Sequence, residues 1–222
     1  MSELYVFCEG RTEQNFCKQV LVPALRNLRA VHPIRIAFGR SKGIVHRGGL
    51  RSYLPVKKDI ANMLAARPHA DVFFTTMFDL YKLPKNFPGN QHRKKAADPR
   101  ENIEHLERAL ELDVNDARFV PYLQLHEYET LLFSDLEAFQ VAFDDCENAI
   151  TNLNQEKAEF ESIEEINDTP HGAPSKRIIR AIPSYRKSKA TAGADVAEFI
   201  GLDVMRASSP HFDQWVKTLQ SL

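Results

Sequence analysis

The sequence predicts an α/β protein built on a mostly parallel sheet with helices on both faces. Short apolar runs rich in β-forming residues alternate with longer segments whose apolar residues recur at helical spacing. The order is strand then helix, four times over, which is typical of parallel sheets. The 222 residues are 43% hydrophobic and 27% charged, as in ordinary globular chains. The strand order within the sheet is left open by these patterns.

Four runs are predicted as buried strands because they are short, apolar and bounded by turn residues. The first ends at Glu9-Gly10, a turn signal, and the third ends at Asp79. The predicted strands cover residues 4–8, 34–38, 71–78 and 119–125.

Helical periodicity follows each strand. The first helix begins at Thr12 and carries Phe16, Val20 and Ala24 on one stripe, and Pro23 is expected to kink or divide it. Two segments between the elements are predicted as loops: residues 40–49, rich in glycine and basic residues, and residues 83–99, rich in Pro, Gly and Lys. The other predicted helices cover residues 50–66, 101–112 and 130–143.

The C-terminal part differs in composition, so we divide the chain into an α/β domain over 1–150 and an extension over 151–222 that packs on it. Residues 154–168 are acidic and predicted as a solvated helix or linker. Short helices are predicted near 195–202 and 213–219. Residues 175–189, here called the basic segment, are expected to pack through Ile178, Ile179, Ile182 and Tyr185, with Lys187 nearer the acidic residues than Lys189.

Charge and cysteine content exclude several classes of protein. There are 29 Lys and Arg against 30 Asp and Glu, so the chain is not a polycation. Three scattered cysteines do not suit a disulfide scaffold or a four-ligand zinc site, and free thiols favour a cytoplasmic location. The N-terminus lacks the basic region of a signal peptide, and no apolar run approaches the ~20 residues of a membrane span.

Carboxylates follow three of the predicted strands. Glu9 follows the first, Asp79 the third, and Glu127 and Glu129 the fourth, and Glu13 lies one turn into the first helix. Ligands bind at the carboxyl ends of parallel strands, and oxygen-rich clusters suit Mg²⁺ or Mn²⁺. Each acid also has a simpler reading. Glu13 complements a helix dipole, Asp79 caps a loop, and one of the two later glutamates is solvated or caps a helix. Glu9 is the hardest to dismiss and is expected to be the most buried.

Five strings, CEGRTEQNF, MFDLYKLPKNFPG, FVPYLQLHEYETLLFSD, PSKRIIRAIPSYRK and PHFDQW, together resemble a family of unknown function related to TOPRIM domains. This family is similar to OLD-type nucleases and is encoded beside AAA- or ABC-type ATPases in bacterial defence and mobile loci. The resemblance spans nearly the whole chain and implies a TOPRIM-like, Rossmann-like fold.

The resemblance also implies roles for particular residues. The TOPRIM glutamate, which serves in the metal site or as acid or base, matches Glu9, and the acid that follows it in OLD-type nucleases matches Glu13. The Asp-x-Asp motif matches Asp79 but has Tyr81 in place of its second aspartate, which puts a two-metal site in doubt. Glu127 and Glu129 match a Glu-x-Glu segment of OLD-like effectors and are substitutes for the missing ligand. The lysine that OLD-type sites use matches either Lys176 or Lys187.

Basic residues independently suit a phosphodiester substrate, since phosphate contacts supply affinity without reading sequence. They form three clusters, and an ordinary solvated surface is the alternative reading for each. The residues expected to bind nucleic acid are Arg40, Lys42 and Arg47 in the first cluster, Lys94 and Lys95 in the second, and Arg177 and Arg180 in the third.

The function expected from these observations is nucleic-acid cleavage dependent on Mg²⁺ or Mn²⁺, with a separate ATPase as partner and defence against phage as the setting. Two other functions stay open. The first is that of a non-catalytic adaptor on an ATPase, which need not bind metal. The second is that of a phosphohydrolase of small molecules, which requires a deep pocket.

Overall fold

The computed structural model describes residues 1–41, 44–81, 83–92, 99–166 and 172–222, with only the backbone described for 38–41 and 44–47. Its centre is a parallel sheet of five strands in the order β2-β1-β5-β6, with β7 pairing β5 further along. Helices flank the sheet, as the sequence predicts. The sheet strands are β1 (Glu3–Cys8), β2 (Ala30–Arg35), β5 (Val72–Asp79), β6 (Phe119–Val120) and β7 (Leu123–Gln124), and β3 (Ala37–Ser41) and β4 (Ile44–Arg47) form a separate antiparallel pair.

The first and third predicted strands are confirmed as β1 and β5, but the fourth is split. Its two halves, β6 and β7, lie on either side of Pro121, which has no backbone N–H to donate to a sheet. Thr76 on β5 bridges the gap: its Oγ1 donates to Tyr122 O at 2.8 Å and accepts from Tyr122 N at 2.9 Å. The buried backbone N–H and C=O of Tyr122 therefore keep hydrogen-bond partners although the strand is interrupted.

Residues 40–49 are not the loop that their composition predicts, because most of them belong to the β3–β4 hairpin. Gly48 and Gly49 follow it with φ of 96° and 86°, values that favour glycine. Gly49 N donates to Glu9 O at 2.9 Å, so the end of this hairpin is attached directly to the end of β1.

The two sheet faces are covered differently, because side chains alternate along each strand. Phe7, Phe74 and Phe78 pack against α3 (Tyr53–Ala65) and α4 (Pro99–Val114). Leu4 and Val6 face the other side and share a core with the first helix and with the C-terminal helices. The later helices are α5 (Glu147–Lys157), α6 (Pro174–Ala181), α7 (Tyr185–Ile200), α8 (Leu202–Ser208) and α9 (Pro210–Gln220).

The first helix is divided, as Pro23 predicts. It consists of α1 (Arg11–Phe16), a π-helical segment (Cys17–Leu21) and the short α2 (Val22–Ala24), which contains the proline. Its buried side chains, Phe16 among them, contact the sheet face beneath.

The helix predicted over 130–143 is wrong in type and extent. The chain forms two 3₁₀ helices, Tyr128–Ser134 and Leu136–Val141, separated by extended Asp135. The Asp135 carboxylate accepts from Glu137 N at 3.0 Å, a local bond that competes with a continuous helix.

The C-terminal segment contains more helix than its composition predicts. The solvated helix or linker predicted over 154–168 begins as the end of α5, and it continues to a 3₁₀ turn at Ile163–Glu165 in which Ile163 and Glu164 are buried. Helix α8 is an addition to the predicted helices. The basic segment packs as expected, since Ile178, Ile182 and Tyr185 are buried. Within the described ranges, no helix combines the length and apolarity needed to span a membrane.

Candidate functional site

Three strand ends meet at one edge of the sheet. Strands β1 and β5 are adjacent, with Cys8 opposite Met77, and β7 pairs with the end of β5. Glu9 follows β1 directly and Asp79 is the last residue of β5, and the backbone N–H of Asp79 donates to Glu9 Oε2 at 3.3 Å. This confirms that Glu9 and Asp79 end neighbouring parallel strands, and it places Glu127 and Glu129 just beyond β7.

Glu13 reaches the same edge from the first turn of α1. Its Oε2 accepts from Gly10 N at 2.6 Å, which caps the helix, and as an acid in the first turn it complements the helix dipole, as its simpler reading holds. It is nevertheless buried, with only 7% of the residue exposed. Burial and the neighbouring charges of Glu9 and Glu129 raise the pKa of Glu13 from 4.5 to about 7. A surface cap would not show this pKa, so Glu13 is both a cap and a member of the cluster.

Glu127 and Glu129 are both buried, so neither is solvated, but Glu127 caps a helix, as its simpler reading holds. The chain turns at His126, whose φ is 60°, and then carries both side chains inward. Glu127 Oε2 accepts from Ser175 N at 2.9 Å, at the start of α6. Glu129 is 1% exposed and is more buried than Glu9, which the sequence favoured.

The five carboxylates, here called the acid cluster (Glu9, Glu13, Asp79, Glu127 and Glu129), interact electrostatically. Burial raises the pKa of Asp79 well above its ordinary value, and the charges of Glu13, Glu9, Glu129 and Glu127 raise it further. Burial also raises the pKa of Glu129. For Glu9, burial raises the pKa although backbone N–H groups of Leu50 and Asp79 oppose this. The site therefore tends to retain protons near neutral pH.

The lysine beside the acid cluster is Lys189, and the prediction that Lys187 lies nearer is wrong. Lys189 Nζ is 2.9 Å from Glu129 Oε1, and Tyr185 Oη donates to the same oxygen at 3.1 Å. Residues four apart share a helix face, whereas Lys187 is two residues from Tyr185 and is exposed. Lys176 on α6 is exposed as well. The i,i+4 spacing from the buried Tyr185 was the signal in the sequence.

Lys189 has a pKa set by opposing effects. Burial acts to lower the pKa, but the charge and hydrogen bond of Glu129, with the charges of Glu127 and Asp79, raise it above its ordinary value. Its side chain keeps 37% exposure. The ammonium therefore stays charged and accessible from outside the cluster.

Of the residues expected to bind nucleic acid, Arg177 and Arg180 are engaged within the chain. Both pair with Glu156, each at 2.6 Å, and the Arg177 guanidinium also lies 5.3 Å from the centre of the Phe160 ring. These pairs link α6 to α5 and leave 13% of the Arg177 side chain and 56% of the Arg180 side chain exposed, so nucleic-acid binding by them stays a prediction. Lys42, Lys94 and Lys95 lie outside the described residues, as do the side chains of Arg40 and Arg47, whose backbones belong to β3 and β4.

The fit of a divalent cation is incomplete. Carboxylate oxygens are the ligands that Mg²⁺ and Mn²⁺ prefer. Nevertheless, no three Asp, Glu, His or Cys side chains of the described residues are grouped closely enough to hold an ion. Glu13, Asp79 and Glu127 each accept a backbone N–H, the one on Asp79 coming from Tyr128 at 2.9 Å. Protein donors thus hold the carboxylates in this arrangement.

The fold and the acid cluster define an α/β protein whose parallel sheet gathers buried acids and a lysine at its carboxyl edge. The chain belongs to the DUF4276 family, a domain of unknown function, whose sequence pattern matches residues 8–220. No curated protein and no solved structure matches the chain. The family match does not extend to TOPRIM domains or OLD-type nucleases, so that resemblance stays a hypothesis.

Proposed function

We propose that this protein is a nuclease that depends on Mg²⁺ or Mn²⁺. The observation that supports this best is the convergence of five acids, four of them with raised pKa values, on the ends of three adjacent strands. Such a concentration of buried carboxylates is unfavourable without compensation and is common at functional sites. Lys189 compensates only part of it.

In this proposal Glu9 and Asp79 hold the cation, with ligands added from Glu13, Glu127 and Glu129. A bound cation would polarise the phosphodiester and help ionise the attacking water. The raised pKa values mean that the acids must release protons to bind it. Because no three of them are grouped for an ion, binding also requires some carboxylates to leave their present partners.

Lys189 takes the role that the sequence gave to Lys176 or Lys187. Its charged, partly exposed ammonium is placed to stabilise negative charge on a phosphate held at the acid cluster. Lys176 on α6 and Lys187 on α7 are exposed and are suited to contacts with the nucleic-acid backbone. A separate AAA- or ABC-type ATPase partner and a role in defence rest on the sequence resemblance alone.

The adaptor function is the second candidate, because an adaptor need not bind metal and no ready-made ion site is present among the described residues. Direct measurement of Mn²⁺ binding by calorimetry separates the two. Saturable binding near neutral pH supports the nuclease, whereas its absence at every pH tested would favour the adaptor.

Cleavage of single-stranded DNA, duplex DNA and RNA with Mg²⁺ or Mn²⁺ then tests the activity. Glu9→Gln keeps the shape of the side chain but removes its charge, and we expect it to lower cleavage by at least about 100-fold. Glu3→Gln is the matched control, since Glu3 is at the opposite end of the same strand and pairs with Arg29. Full cleavage by a folded Glu9→Gln variant would exclude Glu9 from catalysis.

A further inference from the structure

A pocket of about 580 Å³ opens on another part of the surface. It lies where the end of α5, the start of α4 and the connection between α8 and α9 meet, and no member of the acid cluster lines it. The side chains that matter here are Arg100, Lys157, Asn154, Phe160, Ser162 and Ser208.

Lys157 is the lysine that lines this pocket. Its Nζ donates to Ser134 O at 3.3 Å, and in the described part of the chain no carboxylate lies within ion-pair distance of it. Burial lowers the pKa of Lys157, although the charge of Asp135 opposes this. The hydrogen-bond acceptor of Lys157 is a neutral carbonyl and the nearby charge of Asp135 forms no ion pair with it, so an anion in the pocket would give this cation a charge-assisted partner.

Arg100 is a second cationic residue of the pocket lining. Arg100 pairs with Glu164 at 3.1 Å but keeps 49% of its side chain exposed. Glu164 also accepts from Ser209 Oγ at 2.7 Å and from His211 N at 2.9 Å, so its charge is satisfied by several donors. Glu161 is the acid on the pocket lining, and it is exposed to water.

We propose that this pocket binds a small oxyanion group, a phosphate or a carboxylate, through Lys157 and Arg100. The hydroxyls of Ser162 and Ser208 and the amide of Asn154 supply neutral donors in the same lining, and the Phe160 ring supplies an apolar wall for the remainder of the ligand. The site is independent of the proposed nuclease and stands whether or not the acid cluster binds metal.

The test is calorimetric titration of the whole chain with inorganic phosphate and, separately, with acetate, at constant ionic strength and without divalent metal. We expect saturable binding of at least one anion, and the one that binds identifies the ligand chemistry. Lys157→Met should weaken it about tenfold or more, as expected for the loss of a charge-assisted hydrogen bond. Lys157→Arg should retain it.

Lys58→Met is the matched control, because Lys58 is an exposed helical lysine on the opposite face of the sheet. A second readout is the NMR signal of the Lys157 ε-methylene, which should move as phosphate is added. The proposal is wrong if neither anion binds, or if folded Lys157→Met binds as tightly as the unmodified protein.

Discussion

Replacing Glu13 by Gln tests the electrostatics of the acid cluster without any assumption about activity. The pKa of Glu13 is about 7 in the folded protein against an ordinary value of 4.5, a difference worth about 3 kcal/mol. Below pH 4.5 the group is protonated in both states and contributes nothing. As the pH rises towards 7 the unfolded chain ionises first, so ionisation progressively destabilises the folded state.

Glu13→Gln removes this penalty but weakens one hydrogen bond. The Gly10 N–H loses a charged acceptor and keeps a neutral one, at a cost of about 1 kcal/mol. We therefore expect the variant to exceed the unmodified protein by about 1–2 kcal/mol in free energy of unfolding near pH 8. Near pH 5 the advantage should vanish or reverse.

Urea denaturation of the metal-free protein at both pH values measures the difference. Glu147→Gln is the matched control, since Glu147 is an exposed acid in the first turn of α5 and should show no such pH dependence. A Glu13→Gln variant that is less stable than the unmodified protein near pH 8, or a difference that is constant with pH, would refute the reasoning.

Three further predictions concern the same site. Lys189→Met should lower the free energy of unfolding by about 1–2 kcal/mol, because Glu129 stays buried without its cation; the exposure of the ammonium keeps this figure small. In the same urea titration, Lys187→Met should leave the free energy of unfolding unchanged. Gly193→Ala should lower the thermal midpoint of unfolding, with a loss of about 1–3 kcal/mol in stability, because its Cβ would lie 2.9 Å from buried Tyr185 Oη. A rise in the midpoint would contradict this and would show that the higher helix propensity of alanine outweighs the steric clash. Mn²⁺ affinity, measured by calorimetry, should rise between about pH 6 and 8 because the acids must release protons, and an affinity independent of pH would contradict this.

Local patterns predicted the core of the fold and much of the site. Apolar runs identified β1 and β5, and the alternation of strands and helices implied that their carboxyl ends share an edge, so Glu9 and Asp79 could be paired in advance. The patterns predicted the wrong element where a single residue interrupted regular structure. Pro121 split a strand, and the local bond of Asp135 broke a helix that apolar periodicity favoured.

The sequence by itself determined which residue types reach the sheet edge, because strand ends follow directly from chain order. Only the tertiary structure decided their surroundings. The packing of α7 against α1 and the 3₁₀ helix Tyr128–Ser134 brings Lys189 rather than Lys187 to Glu129. The fold also pairs Arg177 and Arg180 with Glu156. These contacts join residues 21 to 60 positions apart, and their formation depends on helix orientation and burial, which no local pattern of residues encodes.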